Sequence, residues 1–139
     1  MTISITPPSP NGNAITPTNI TASGRIVLTP TTVALTTGNA GNSISVSNTS
    51  VLYLNPNAAL TLSGGPIFTG GVDGQLLWVM NIGTGVNIIT LPGSTGQPTA
   101  GLRLSSVTSV ALGPGGSMQF IYIAAQTAWQ QVTGVLLAL

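Results

Sequence analysis

Residues 73–132 read DGQLLWVMNIGTGVNIITLPGSTGQPTAGLRLSSVTSVALGPGGSMQFIYIAAQTAWQQV. Apolar residues alternate with small or polar ones in short runs, and Gly, Pro, Asn and Ser fall between the runs. Leu76, Trp78, Met80 and Ile82 share one face of an extended chain; Met118, Phe120 and Tyr122 share another. Period-two alternation broken by turn residues predicts antiparallel strands packed on a core, about six of them here. Gln75 to Asn81 is the strongest strand, followed by a hairpin turn at Gly83-Thr84-Gly85 and a return strand from Val86 to Leu91. Pro92 to Thr99 reads as a surface loop. Leu102 and Leu104 point one way and Arg103 the other. Val107 to Leu112 leads into the turn Gly113-Pro114-Gly115-Gly116. Met118 to Ala124 and Ala128 to Thr133 form a last hairpin.

Upstream, the same punctuation recurs about every 8–12 residues, as sandwiches and barrels require. Ile26 to Leu28, Thr32 to Leu35, Ile44 to Asn48, Val51 to Leu54 and Ala59 to Leu62 are short strands. Gly64-Gly65-Pro66 and Gly70-Gly71 flank Ile67 and Phe68 and read as a linker between two strand sets. Segments 44–62 and 74–91 are loosely alike, each a strand pair with an Asn near its turn. The expected fold is all-β: an antiparallel β-sandwich or small, jelly-roll-like barrel over residues 25–139. Residues 1–24 are expected to form an extended N-terminal arm. Pro7, Pro8, Pro10 and Pro17 exclude a helix or central strand there, and Ile3, Ile5, Ile15 and Ile20 have nothing local to pack on.

The 139-residue chain is long enough for one domain with a real core. Its charge inventory is extreme. Arg25 and Arg103 are the only basic side chains and Asp73 the only acidic one, where soluble domains carry about a quarter charged residues. A nucleic-acid interface needs a basic stripe, and two arginines cannot make one. A membrane helix needs about twenty apolar residues in a row; the runs 76–80 and 135–139 are far shorter. The start MTISITPPSP lacks the basic and apolar regions of a signal peptide, so export by that route is not expected. Charged side chains normally guard strand edges against pairing with other chains. A β-rich chain without them is expected to cover its edges by oligomerising within an assembly.

Catalysis has no material to work with. The chain holds no His, Cys, Lys or Glu, so no acid–base pair, activated nucleophile or metal cluster can be assembled. No catalytic, cofactor or metal residue is assigned. The glycine stretches lack the Gly-Lys-Ser/Thr of a phosphate loop. Asp73-Gly74 reads as a turn, with Asp73 bonding nearby backbone. Asn19-Ile20-Thr21 and Asn48-Thr49-Ser50 match the glycan-acceptor pattern at a rate that this composition produces by chance. Trp78, Trp129, Tyr53 and Tyr122 would serve a sugar-stacking platform if exposed. The alternation assigns Trp78 and Tyr122 to the core instead and leaves Trp129 at the core or an interface.

The run GQLLWVMNIG…ITLPG…GLRLSS…VALGPGGSMQFIYI…WQQV resembles a module of tailed-bacteriophage structural proteins: capsid decoration (cement) proteins, head fibres and tail-fibre segments. The matching positions are Gly74-Gln75, Asn81 to Gly83, Leu91-Pro92, Leu112 to Gly115 and Trp129 to Val132. The resemblance covers about the last sixty residues, and its motifs are turn and strand patterns. It implies a small β-sandwich or barrel, commonly trimeric, with no catalytic residues. The implied function is decoration of a phage head as a homotrimer on the major capsid protein, through β-sandwich contacts and contacts of the arm 1–24, at the capsid surface, without nucleic acid or membrane. The alternative is a fibre or spike module that binds a host-surface glycan.

The inventory also carries a prediction. Stability varies with pH only where folded and unfolded states bind different numbers of protons. The side chains that usually titrate near neutrality, His and Cys, are absent. Thermal unfolding should therefore move by less than about 5 °C between roughly pH 5 and 9, at low and at high sodium chloride. A larger shift would reveal a bound ion or partner.

Overall fold

The computed structural model describes residues 27–93, 101–104 and 109–132. The expected arm, residues 1–24, and most of the loop after Gly93 lie outside these residues. The fold is all-β, with several sheets around one core. The first stretch is β1 (Thr31–Leu35), β2 (Ile44–Ser45), β3 (Val51–Pro56), β4 (Leu60–Thr61) and β5 (Phe68–Thr69). Then come β6 (Leu76–Asn81), β7 (Ile89–Pro92), β8 (Leu102–Arg103), β9 (Ser109–Leu112), β10 (Ser117–Ile123) and β11 (Ala128–Gln131). They form three sheets, in the orders β1-β3-β6-β10-β11-β8, β2-β5 and β4-β7-β9.

Strand direction departs from the alternation-based expectation. Among the described residues, five of the eight pairings are parallel and three antiparallel. Alternation tells which side of a strand meets the core; it carries no information on which strand lies alongside, or in which direction. From β1 to β7 the chain winds. It passes from the large sheet to the others and returns one strand further on. Leu52 of β3 lies beside Thr31 of β1 and Val79 of β6. Ile44 lies beside Phe68, and Leu60 beside Ile89. The likeness of segments 44–62 and 74–91 has this physical basis, since β3 and β4 rest on β6 and β7 as successive turns of one coil. After β7 the chain reverses. β9 and β10 add to the winding walls antiparallel, and β10 and β11 form the expected hairpin.

Four further expectations change. The strand after Gly83-Thr84-Gly85 does not pair back on β6. The turn carries the chain round a corner into another sheet, where β7 pairs with β4 and β9. Residues 64–71 are no linker: they carry β5, and Ile67 and Phe68 are buried at 0% and 2% exposure. Pro92 belongs to β7 and is buried rather than opening a surface loop. Val27 and Leu28 form no strand.

Local chemistry explains the first corner. β1 is rich in β-branched residues, which suit a pleated surface. Asn39 then ends it: its Oδ1 accepts the Thr36 N–H at 2.7 Å and its Nδ2 donates to the Ala34 carbonyl at 2.9 Å. The core is continuous across the three sheets. Leu52, Leu54, Leu77, Val79, Met118, Phe120 and Trp129 come from the large sheet, Ile44 and Phe68 from the small one, and Leu60, Ile89, Leu91 and Leu112 from the third. Phe68 meets both Phe120 and Trp129 edge-on, with centroids 6.1 and 6.5 Å apart.

Candidate functional site

The motif residues are structural nodes. Gln75, just before β6, donates from Nε2 to the carbonyls of Val46 and Thr49, each at 2.8 Å, and its Oε1 accepts the Val72 N–H at 3.0 Å. It ties the start of β6 to the preceding turn of the coil. Asn81, fully buried at the end of β6, does the same at the other end. Its Nδ2 donates to the carbonyls of Asn87 and Leu112, and its Oδ1 accepts the Gly83 N–H, all at 2.8 Å. A Cβ on Gly83 would lie 2.7 Å from the Pro56 ring, so the corner admits only glycine without movement. Gly115, with φ of 75°, makes the turn between β9 and β10 and donates its N–H to the Asn81 carbonyl at 2.8 Å. Asp73 lies in a turn as expected, but its Oδ1 accepts the N–H of Ala124, remote in sequence, at 2.9 Å rather than a nearby backbone N–H.

Of the aromatic residues, Trp78 alone departs from the expected core placement. Trp129 is in the core at 1% exposure, with Tyr122 tilted against it at 5.1 Å. Trp78 is not in the core. It is 40% exposed on the outer face of the large sheet, and Leu76 beside it is 60% exposed. The inward residues of β6 are Leu77, Val79 and Asn81. Residues 76–80 are apolar on both faces, so alternation could not choose between them, and a one-residue shift exchanges the faces. The corner decides the matter: Asn81 must point inward to reach the Asn87 and Leu112 carbonyls.

The outward placement creates a feature with the form of a site. Leu28, Ser50, Val51, Leu76, Trp78 and Gln119 line an open groove of about 260 Å³, floored by Leu77 and Phe120. Val51, Trp78 and Gln119 form a row across β3, β6 and β10. Tyr53 lies on the same outer face, between Thr32 and Met80. The groove is mostly apolar, with the Ser50 and Gln119 side chains as its polar contribution. It is below the usual range of about 300–1,000 Å³ for small-molecule pockets, and it holds no ionisable side chain. It can bury apolar or aromatic surface and offer a few hydrogen bonds; it has no group for acid–base or nucleophilic chemistry. Among the described residues no three His, Cys, Asp or Glu side chains cluster to hold a metal, and no helix is long and apolar enough to cross a membrane. Arg103 is exposed on β8; Arg25 lies outside the described residues.

Comparison with protein families, with curated proteins and with solved structures returned no match.

Proposed function

We propose that the chain is a non-enzymatic structural protein of a virion, a decoration or cement protein that acts as a homotrimer on the major capsid protein at the capsid surface. One observation carries the reading. Among the described residues β1 is an edge strand of the large sheet, with Thr31, Thr32 and Ala34 exposed. Within the strand there is neither a charge nor a proline to guard it; Pro30 stands just before its first residue. Such an edge suits a protein whose surface is covered by copies of itself or by a shell. The work is mechanical. Contacts spread across shell subunits add buried area, and several weak attachments act together. Contacts between uncharged surfaces are insensitive to salt.

The isolated protein should sediment as a trimer at micromolar concentration, and particles that carry it should hold hundreds of copies. A stable monomer, or a handful of copies per particle, would overturn this reading.

The second reading, a fibre or spike module that binds a host-surface glycan, draws on Trp78. An exposed indole beside a groove, with Tyr53 on the same face, is an arrangement that stacks on sugar rings. A low copy number together with loss of cell binding in Trp78→Ala would select it.

A further inference from the structure

We infer that the Trp78 groove takes an uncharged oligosaccharide, with one pyranose ring on Trp78 and the next beside Tyr53. The inference rests on the glycan reading above and extends it to the kind of sugar and the side chains that hold it. It starts from what the rim of the groove leaves unpaired. Gln119 lies directly opposite Trp78 across β6 and β10, and Val51 lies opposite it across β3 and β6. The Trp78 backbone N–H donates to the Ser50 carbonyl at 2.8 Å, which brings the Ser50 side chain to the same rim. Among the described residues the Gln119 amide, the Ser50 hydroxyl and the Tyr53 hydroxyl have no hydrogen-bond partner.

These groups select the ligand by elimination. A purely apolar ligand would cover the Gln119 amide without pairing it, which costs free energy. An ionised ligand would lose its hydration and find no counter-charge. Arg103, the described cation, stands in the row of Leu76, Ile121 and Gln130, three strand spacings from β6, about 14 Å away. What fits is a neutral ring with an apolar face for the indole and hydroxyls at its edge for an amide and a serine that both donate and accept. The volume, about 260 Å³, suits one ring rather than a drug-sized ligand. The groove is open, so a second ring can follow. Tyr53 is one strand over from Trp78 and two residues on, which puts their Cα atoms about 8 Å apart. That diagonal lies within reach of a ring linked to the first.

NMR titration of the full chain tests this. The probes are methyl β-glucopyranoside, methyl β-galactopyranoside, cellobiose and lactose, against glucuronic acid and N-acetylneuraminic acid. A neutral monosaccharide should bind with Kd of about 1–10 mM, and its disaccharide several-fold more tightly. Trp78→Ala should weaken binding about tenfold or more, and Gln119→Ala several-fold. Tyr53→Ala should abolish the gain of the disaccharide and leave the monosaccharide unaffected. Thermal unfolding of the variants should match the parent, because these side chains lie outside the core. Preference for the acidic sugars, or neutral binding that survives Trp78→Ala, overturns the inference. The glycan reading then still stands or falls on cell attachment. Binding of none of the probes overturns the inference too. So do Trp78 resonances that shift with protein concentration alone, because the groove then holds a second copy.

Discussion

Trp129→Ala should lower the stability of the folded chain by about 3–5 kcal/mol, the range for deleting a fully buried large aromatic. Trp129 is 1% exposed and closely surrounded. Phe68 meets it edge-on, Tyr122 is tilted against it, and the Gly71 backbone comes so close that a Cβ there would lie 2.9 Å from the indole. None of these can move in to fill the space, so a cavity persists. The indole N–H is buried and, among the described residues, has no hydrogen-bond partner. The ring is held by packing. Trp129→Phe removes that donor and keeps most of the volume, so it should cost well under half as much as alanine. Urea unfolding of the two variants is the measurement. A loss below about 1 kcal/mol for alanine would contradict the core position. A phenylalanine variant as unstable as alanine would show that the N–H has a partner.

Asn81→Leu should be comparably severe for the opposite reason. Leucine has nearly the same shape and suits an apolar core, so volume is not at issue. The loss is polar. Without the amide, the Asn87 and Leu112 carbonyls lose their donor and the Gly83 N–H loses its acceptor. An unpaired buried backbone group costs about 1–3 kcal/mol. Three of them around one corner, partly relieved by relaxation, give an expected loss of about 3–5 kcal/mol. Asn81→Asp should be no better. It keeps an acceptor for Gly83 but turns oxygen toward two carbonyls and buries a charge. Asn55→Ala, at an exposed position of β3, should stay within about 0.5 kcal/mol of the parent. Chemical denaturation of the three variants checks this. A mild effect at Asn81 would mean that water can take over the corner.

These two residues also mark how far the sequence could be read. The all-β class, β3, β6, the β10–β11 hairpin and the Gly113–Gly116 turn were legible, because alternation and turn chemistry are local signals. Met118 and Phe120 are inward as their alternation predicts. The side of β6 was not legible, because a strand apolar on both faces does not announce which one is buried. The partners of the strands were not legible either. Gly83-Thr84-Gly85 has the composition of a hairpin turn, and only the Asn81 bonds to residues 87 and 112 make it a corner between sheets. Ile67 and Phe68 lay between glycines and resembled a linker, yet pairing with β2 places them at the centre of the core. Trp78 lies outward against expectation because residues 76–80 are apolar on both faces, and the groove, the chief candidate for a contact, had no sequence signal of its own.

The winding of β1 to β7 has a consequence for how such a chain tolerates insertions and deletions. Each turn rests only on the turns beside it, as in stacked-repeat proteins. An extra full turn between β3 and β6 would leave every wall in register and require no new kind of contact. A single residue added within β6 would exchange its faces, turning Leu77, Val79 and Asn81 to solvent and Trp78 to the interior. Length in this half of the chain is therefore quantised. Related chains should differ by whole turns or by changes confined to the corners, while the antiparallel strands β9, β10 and β11 keep a constant size.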